Sequence, residues 1–221
     1  MKFADKKKKK KKKEEEVSEE DSSLITFINS ALDKPQMRAI GIYGDIGEEK
    51  CSEAIYNLLA LHESGREIVR VDPDDEESQL VEAYMPIDFY ISTYGGSASE
   101  MFAVYDVMRT IRDYSPICTF GIGKVMSAGV LLLASGTKGE RRIGKHCRVM
   151  IHGVVSGQHG HLSDVENEFE EAKLTQKLYI DALSTETNMT AKYIRKLVEK
   201  KTNVYLDAEE AVDLGIADII V

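Results

Sequence analysis

Short apolar runs of strand length repeatedly end on small residues and give way to helical patterns. That alternation constrains the fold of this chain more than any other feature. Ile87–Ser92 (IDFYIS) reads as a strand ending at Thr93-Tyr-Gly-Gly-Ser97; Met101, Val104, Val107, Met108 and Ile111 then recur at helical spacing. Pro116–Ile122 is a second strand. The almost wholly apolar Val125–Ala134 follows and reads as a buried helix. Arg38–Tyr43 precedes a turn at Gly44–Gly47 and a helix over Cys51–Leu61 with Ala54, Leu58 and Leu61 on one face. Arg148–His152 is a short strand, Gly153–Gly160 a glycine-bearing loop, and Ile216–Val221 a closing strand after helices at Ala191–Lys200 and Ala208–Leu214. Strands alternating with helices imply an α/β fold.

Two stretches stand outside this rhythm. Residues 71–85 (VDPDDEESQLVEAYM) are acidic and carry a proline, which predicts a surface loop or hairpin. The helix expected over Leu162–Thr185 has apolar residues on more than one face: Leu162, Val165, Phe169 and Ala172, and also Leu174 and Leu178. Two stripes need two partners, and in a single small domain the second is expected to be another subunit.

Charge and cysteines exclude several function classes. The 221 residues carry a net charge of −9, and the first 21, with Lys6–Lys13 running into an acidic block, contribute a local +2. That segment is expected to be a disordered, solvated tail, with a single ordered domain from about Ser22 to Val221. The acidic body argues against a nucleic-acid partner. No run of 18 apolar residues predicts a membrane span, and no apolar segment near the N-terminus predicts a secretory leader. Cys51, Cys118 and Cys147 form neither a C-x-x-C pair nor an even framework. Isolated thiols fit a reducing compartment, so a cytoplasmic location is expected, or the host cytoplasm for a virus-encoded chain.

Ser127 is the conspicuous candidate for chemistry. It follows a strand and opens the buried helix in Gly-Lys-Val-Met-Ser-Ala-Gly, where free backbone N–H groups and the helix dipole favour a developing anion. It is not the G-x-S-x-G elbow, because Val125 stands at the first glycine position, and a serine there is commonly just a helix cap. His152 ends the strand RVMIH, a place from which imidazole can serve a nucleophile on a neighbouring unit. His62 is expected exposed on its helix and His146 in a turn. His159 and His161 lack a third ligand, so no metal is expected. Gly95-Gly96 reads either as a phosphate cradle or as a ledge that lets a peptide or oxyanion approach backbone N–H groups; no P-loop or G-x-G-x-x-G supports the first.

Taken together, Ile91-Ser-Thr-Tyr-Gly-Gly-Ser97, Tyr105-Asp106, Val125-Met-Ser-Ala-Gly129, Leu131-Leu-Leu-Ala-Ser-Gly-Thr-Lys-Gly139, Arg148-Val-Met-Ile-His152 and Ala208-Glu-Glu-Ala-Val-Asp-Leu-Gly-Ile-Ala-Asp218 resemble the ClpP peptidase family over roughly residues 38–221. The resemblance implies the ClpP/crotonase-like spiral of ββα units with a protruding handle at about 153–186. It also implies heptameric rings, stacked in pairs into a barrel that encloses serine sites. Ser127 would be the nucleophile, His152 the general base, and the N–H groups of Gly96 and Ala128 the oxyanion hole. Gly95, Gly153, Val154 and Val155 would hold an extended, unfolded polypeptide. No cofactor is implied in this chain, ATP being used by a partner AAA+ unfoldase.

The chain departs from the family pattern at several places. Counting back from Leu206-Asp-Ala-Glu-Glu-Ala, the family's third triad member, an Asp, falls on Asn203; Asp207 reads as the N-cap of the next helix. Thr202 replaces an Arg, Tyr94 replaces the proline of S-P-G-G, and the acidic stretch near 71–85 and the Lys/Glu-rich N-terminus have no counterpart. These departures bear on unfoldase docking and keep a second reading open: a weakly active or non-catalytic subunit that completes a mixed barrel with a second ClpP subunit. A crotonase-fold acyl-CoA hydratase is disfavoured, because that chemistry usually wants paired carboxylates.

Overall fold

Alternation along the strand Ile87–Gly96 shows how the sheet is built. Ile87, Phe89, Ile91, Thr93 and Gly95 are buried, while Asp88, Tyr90, Ser92, Tyr94 and Gly96 face outward to varying degrees. The computed structural model describes residues 37–200 and 202–221, and Arg38–Val221 forms one unit. The tail expected over residues 1–21 and the start expected near Ser22 lie outside the described residues.

Among the described residues, the order is β1 (Ala39–Ile46), α1 (Glu48–Ser64), β2 (Arg66–Arg70), β3 (Leu80–Tyr84), β4 (Ile87–Gly96), α2 (Ala98–Ile111), β5 (Ile117–Met126), α3 (Ala128–Ala134), β6 (Arg142–Ile143), β7 (Arg148–Ile151), α4 (Leu162–Glu186), α5 (Ala191–Val198), β8 (Val204–Leu206), α6 (Ala208–Asp213) and β9 (Ile219–Ile220). Seven strands form one sheet along β1-β4-β5-β6-β9, with β7 beside β5 and β8 beside β7. All pairings in it are parallel except β7–β8. The fold is the expected α/β class. Cys51, Ala54 and Leu58 of α1 and the whole of α3 pack against the sheet, and Met101, Val104, Met108 and Ile111 of α2 join the same core beside α1 and α3, all buried.

Several local expectations need correction. Strand β1 runs through the expected turn at Gly44; a bulge between Tyr43 and Asp45 absorbs it, with Gly44 at φ 76°. Val125 and Met126 finish β5 rather than open α3, so the buried helix begins at Ala128. The closing strand is only Ile219–Ile220, and the two- and three-residue strands β6 and β8 were not foreseen. His62 is half-buried rather than exposed: its ring stacks on Tyr84 at 4.7 Å and Nδ1 lies 2.9 Å from Ser115 Oγ. The acidic stretch is the turn and second strand of an antiparallel hairpin, β2–β3, whose first strand starts at Arg66. Asp207 caps α6 in a reciprocal capping box with Glu210, as expected.

Candidate active site

Three neighbouring parallel strands deliver the site. Strands β4, β5 and β7 all end at one edge of the sheet, where α/β folds commonly bind ligands. Met126 pairs with Met150, so the residues that follow the ends of β5 and β7 are drawn together. Ser127 N–H donates to Met150 C=O at 2.7 Å, and His152 Nε2 lies 2.8 Å from Ser127 Oγ. Twenty-five positions apart in sequence, the two side chains share one hydrogen bond.

Ser127 is the only non-glycine residue with positive φ among the described residues, at φ 56° and ψ −122°. Such a backbone costs of order 1–3 kcal/mol and persists only where its surroundings enforce it. The residue occupies the N-cap position of α3, yet its hydroxyl makes no capping bond; the side chain is turned to His152 instead. This sharp strand-to-helix turn presents Oγ to the cleft although the G-x-S-x-G spacing is absent.

A cleft of about 190 Å³ opens here, lined by Gly96, Ala128, Ser127, His152, Gly153, Val154 and Val155, with Met101, Thr175 and Tyr179 among its other walls. Ala128 is the first residue of α3, so its N–H has no acceptor within the helix. Gly95 lies behind the cleft rather than in its wall. At φ 104°, a Cβ on Gly95 would sit 2.5 Å from Ser127 Cβ and 3.1 Å from Met126 O. Gly95→Ala should therefore destabilise the protein by about 1–3 kcal/mol and push Ser127 out of place. A denaturant midpoint equal to the parent's would contradict this.

Asn203 is not in this cleft. It shares a neighbouring cavity of about 440 Å³ with His152, Gly153, Val154, Val155, Gln176, Glu199 and Thr202. Among the described residues no hydrogen bond joins Asn203 to His152, and no carboxylate bonds the His152 ring. His159 and His161 are exposed on the loop before α4, and no group of three potential metal ligands occurs among the described residues.

Sequence reasoning passed over two residues of α4. Tyr179 is buried and donates from Oη to Ser127 C=O at 3.2 Å; burial pushes its phenol well above the ordinary range, so it stays a donor. Gln176 Oε1 accepts from Val154 N–H at 3.2 Å. The only sequence signal for either was helical periodicity, which marks a face but not a bond.

The site is thus a Ser–His pair at the ends of adjacent strands, with a strained serine turn, a glycine shelf and the first N–H of α3 around one cleft. The Clp protease family model matches residues 79–221, a stretch containing every one of these residues, and the chain belongs to the Clp protease family.

Proposed function

We propose that this chain is a self-compartmentalised serine endopeptidase subunit that hydrolyses unfolded polypeptides, with Ser127 as nucleophile. The observation that carries the reading is the 2.8 Å Ser127 Oγ–His152 Nε2 hydrogen bond at a strained strand-to-helix turn. For Nε2 to accept the serine proton, the ring proton must reside on Nδ1. Ser127 Oγ then attacks the scissile carbonyl carbon while His152 takes its proton. The oxyanion accepts hydrogen bonds from Gly96 and Ala128 N–H. His152 protonates the leaving amine, and water, activated by the same ring, releases the acyl group. Gly153–Val155 pair with the substrate backbone, with Gly95 behind them supporting the turn.

The third member in this reading is Asn203. Its amide oxygen is able to accept from Nδ1–H but brings no negative charge to stabilise the imidazolium. Asn203→Asp should raise turnover of a small peptide ester or amide by at least about tenfold, equivalent to about 1.4 kcal/mol of barrier. An Asp variant that assembles normally and is no faster would remove Asn203 from the triad. That no carboxylate bonds His152 among the described residues favours a second reading, a weakly active or non-catalytic subunit in a mixed barrel. A parent chain inert alone but active when mixed with a second ClpP subunit would support it.

Assembly follows from α4. Leu162, Phe169, Leu174 and Leu178 are exposed along it, a run of apolar surface that a second copy would cover. We expect rings of about seven subunits, stacked in pairs and fed by a Clp-type unfoldase. Native mass should show a large multiple of the chain mass; a clean monomer at micromolar concentration would contradict this.

A further inference from the structure

One turn of α4 holds both halves of the candidate site. Gln176 and Tyr179 are three residues apart and so share a helix face. Tyr179 reaches the nucleophile turn through the Ser127 carbonyl, at 3.2 Å. Gln176 reaches the segment that follows His152 through the Val154 N–H, also at 3.2 Å. That segment runs close under the helix: a Cβ on Gly153 would meet Gln176 Oε1 and Val198 O, each at 2.9 Å. We propose that Gln176 and Tyr179 are positioning residues, a clamp through which α4 sets the Ser127 turn and the Gly153–Val155 segment against each other.

The two bonds do different jobs. The Ser127 carbonyl also accepts from Val130 N–H at 3.0 Å, so Tyr179 adds a second restraint on a peptide whose φ is unfavourable for serine. Its loss lets the hydroxyl drift from His152, which slows acylation without changing what the cleft binds. Gln176 lines the neighbouring cavity, which shares Gly153, Val154 and Val155 with the cleft. By engaging the Val154 N–H it fixes which backbone groups of the segment remain for a peptide laid alongside. Its loss weakens the binding of extended peptides and leaves short esters unaffected. With no carboxylate bonded to His152 among the described residues, alignment by such restraints carries more of the catalytic geometry.

This inference rests on the peptidase reading, and the test separates the two. Turnover of a short peptide ester and of an extended peptide amide is measured for the parent, Tyr179→Phe, Gln176→Leu and Gln176→Glu, with assembly checked in each. Amide exchange at Val154 is followed in parallel. Tyr179→Phe should lower kcat on both substrates about tenfold, with KM within about twofold. Gln176→Leu should raise KM for the extended peptide about tenfold and speed exchange at Val154. Gln176→Glu, which keeps an acceptor oxygen, should restore both towards the parent. Variants of an active parent that match it in kcat and KM, or a Glu variant as impaired as the Leu variant, would overturn the clamp alone. A parent that turns over neither substrate would remove the peptidase reading and the clamp with it.

Discussion

Ser127→Ala should reduce hydrolysis of small acylated peptides by about 10³-fold or more while leaving assembly intact. The methyl group left behind cannot attack a carbonyl, and His152 then has no proton to take. In the serine-peptidase template, the oxyanion hole and binding alone leave a residual acceleration over water, so the loss is large but finite. The substitution should not unfold the protein. The Ser127 backbone keeps its bonds to Met150, Val130 and Tyr179, and only the bond to His152 is lost. Serine and alanine both carry a Cβ and meet the same strain at positive φ, so little further backbone cost is expected. Peptide turnover measured beside native mass separates chemistry from assembly. Activity equal to the parent's would place the chemistry elsewhere.

Arg141→Met should cost about 2–3 kcal/mol of stability, less than the roughly 3–5 kcal/mol scale for breaking a fully buried ion pair because Asp218 is only half-buried. Arg141 is 3% exposed. Its Nε and Nη2 donate to the two carboxylate oxygens of Asp218 at 2.7 and 2.5 Å. Its Nη1 donates to the carbonyls of Ala134, Glu186 and Gly215 at 3.1, 2.7 and 2.8 Å. One guanidinium thus joins the end of α3, the end of α4 and the segment after α6. Alongside it, the buried Glu186 carboxylate accepts from Arg112 at 2.8 and 3.1 Å, from Arg109 at 3.0 Å and from Tyr105 at 3.0 Å. Burial alone would push both carboxyls up. For Glu186, the bonds and charge of Arg112, then Tyr105 and Arg109, outweigh burial; for Asp218, those of Arg141 and the Gly139 N–H do.

Both carboxyls are therefore held below their ordinary range. The stability they give is full at pH above the unfolded-chain carboxylate pKa and is lost as pH falls through the lower folded values. Chemical denaturation at one protomer concentration, from neutral to acid pH, checks this. The parent should lose stability in that acid window, and Arg141→Met should start lower and fall less steeply. Arg141→Met within about 0.5 kcal/mol of the parent would contradict the role given to this network.

How much of this was legible from sequence differs by residue. The strand runs Ile87–Ser92 and Pro116–Ile122 were readable because small residues punctuate apolar patterns. The apolar continuity of Val125–Ala134 hid its division into strand and helix, since a fully buried run has no period to choose between them. Strands of two or three residues, β6 and β8, exist through their neighbours and carry no pattern of their own. Ser127 and His152 were each ambiguous until β5 and β7 paired and brought them to hydrogen-bond distance. Arg141 gave no signal, because an arginine in a Lys- and Gly-rich turn reads as surface until the carbonyls it gathers are known. Asn203 could be reached by counting residues, but counting does not say what its amide touches.

The most direct measurement for the central claim is covalent labelling of the purified chain with a fluorophosphonate, followed by peptide mass mapping. The account predicts one adduct, on Ser127, formed faster than on any other serine, absent from Ser127→Ala and much slower with His152→Ala. An adduct on a different serine, or no adduct on a correctly assembled protein, would contradict it.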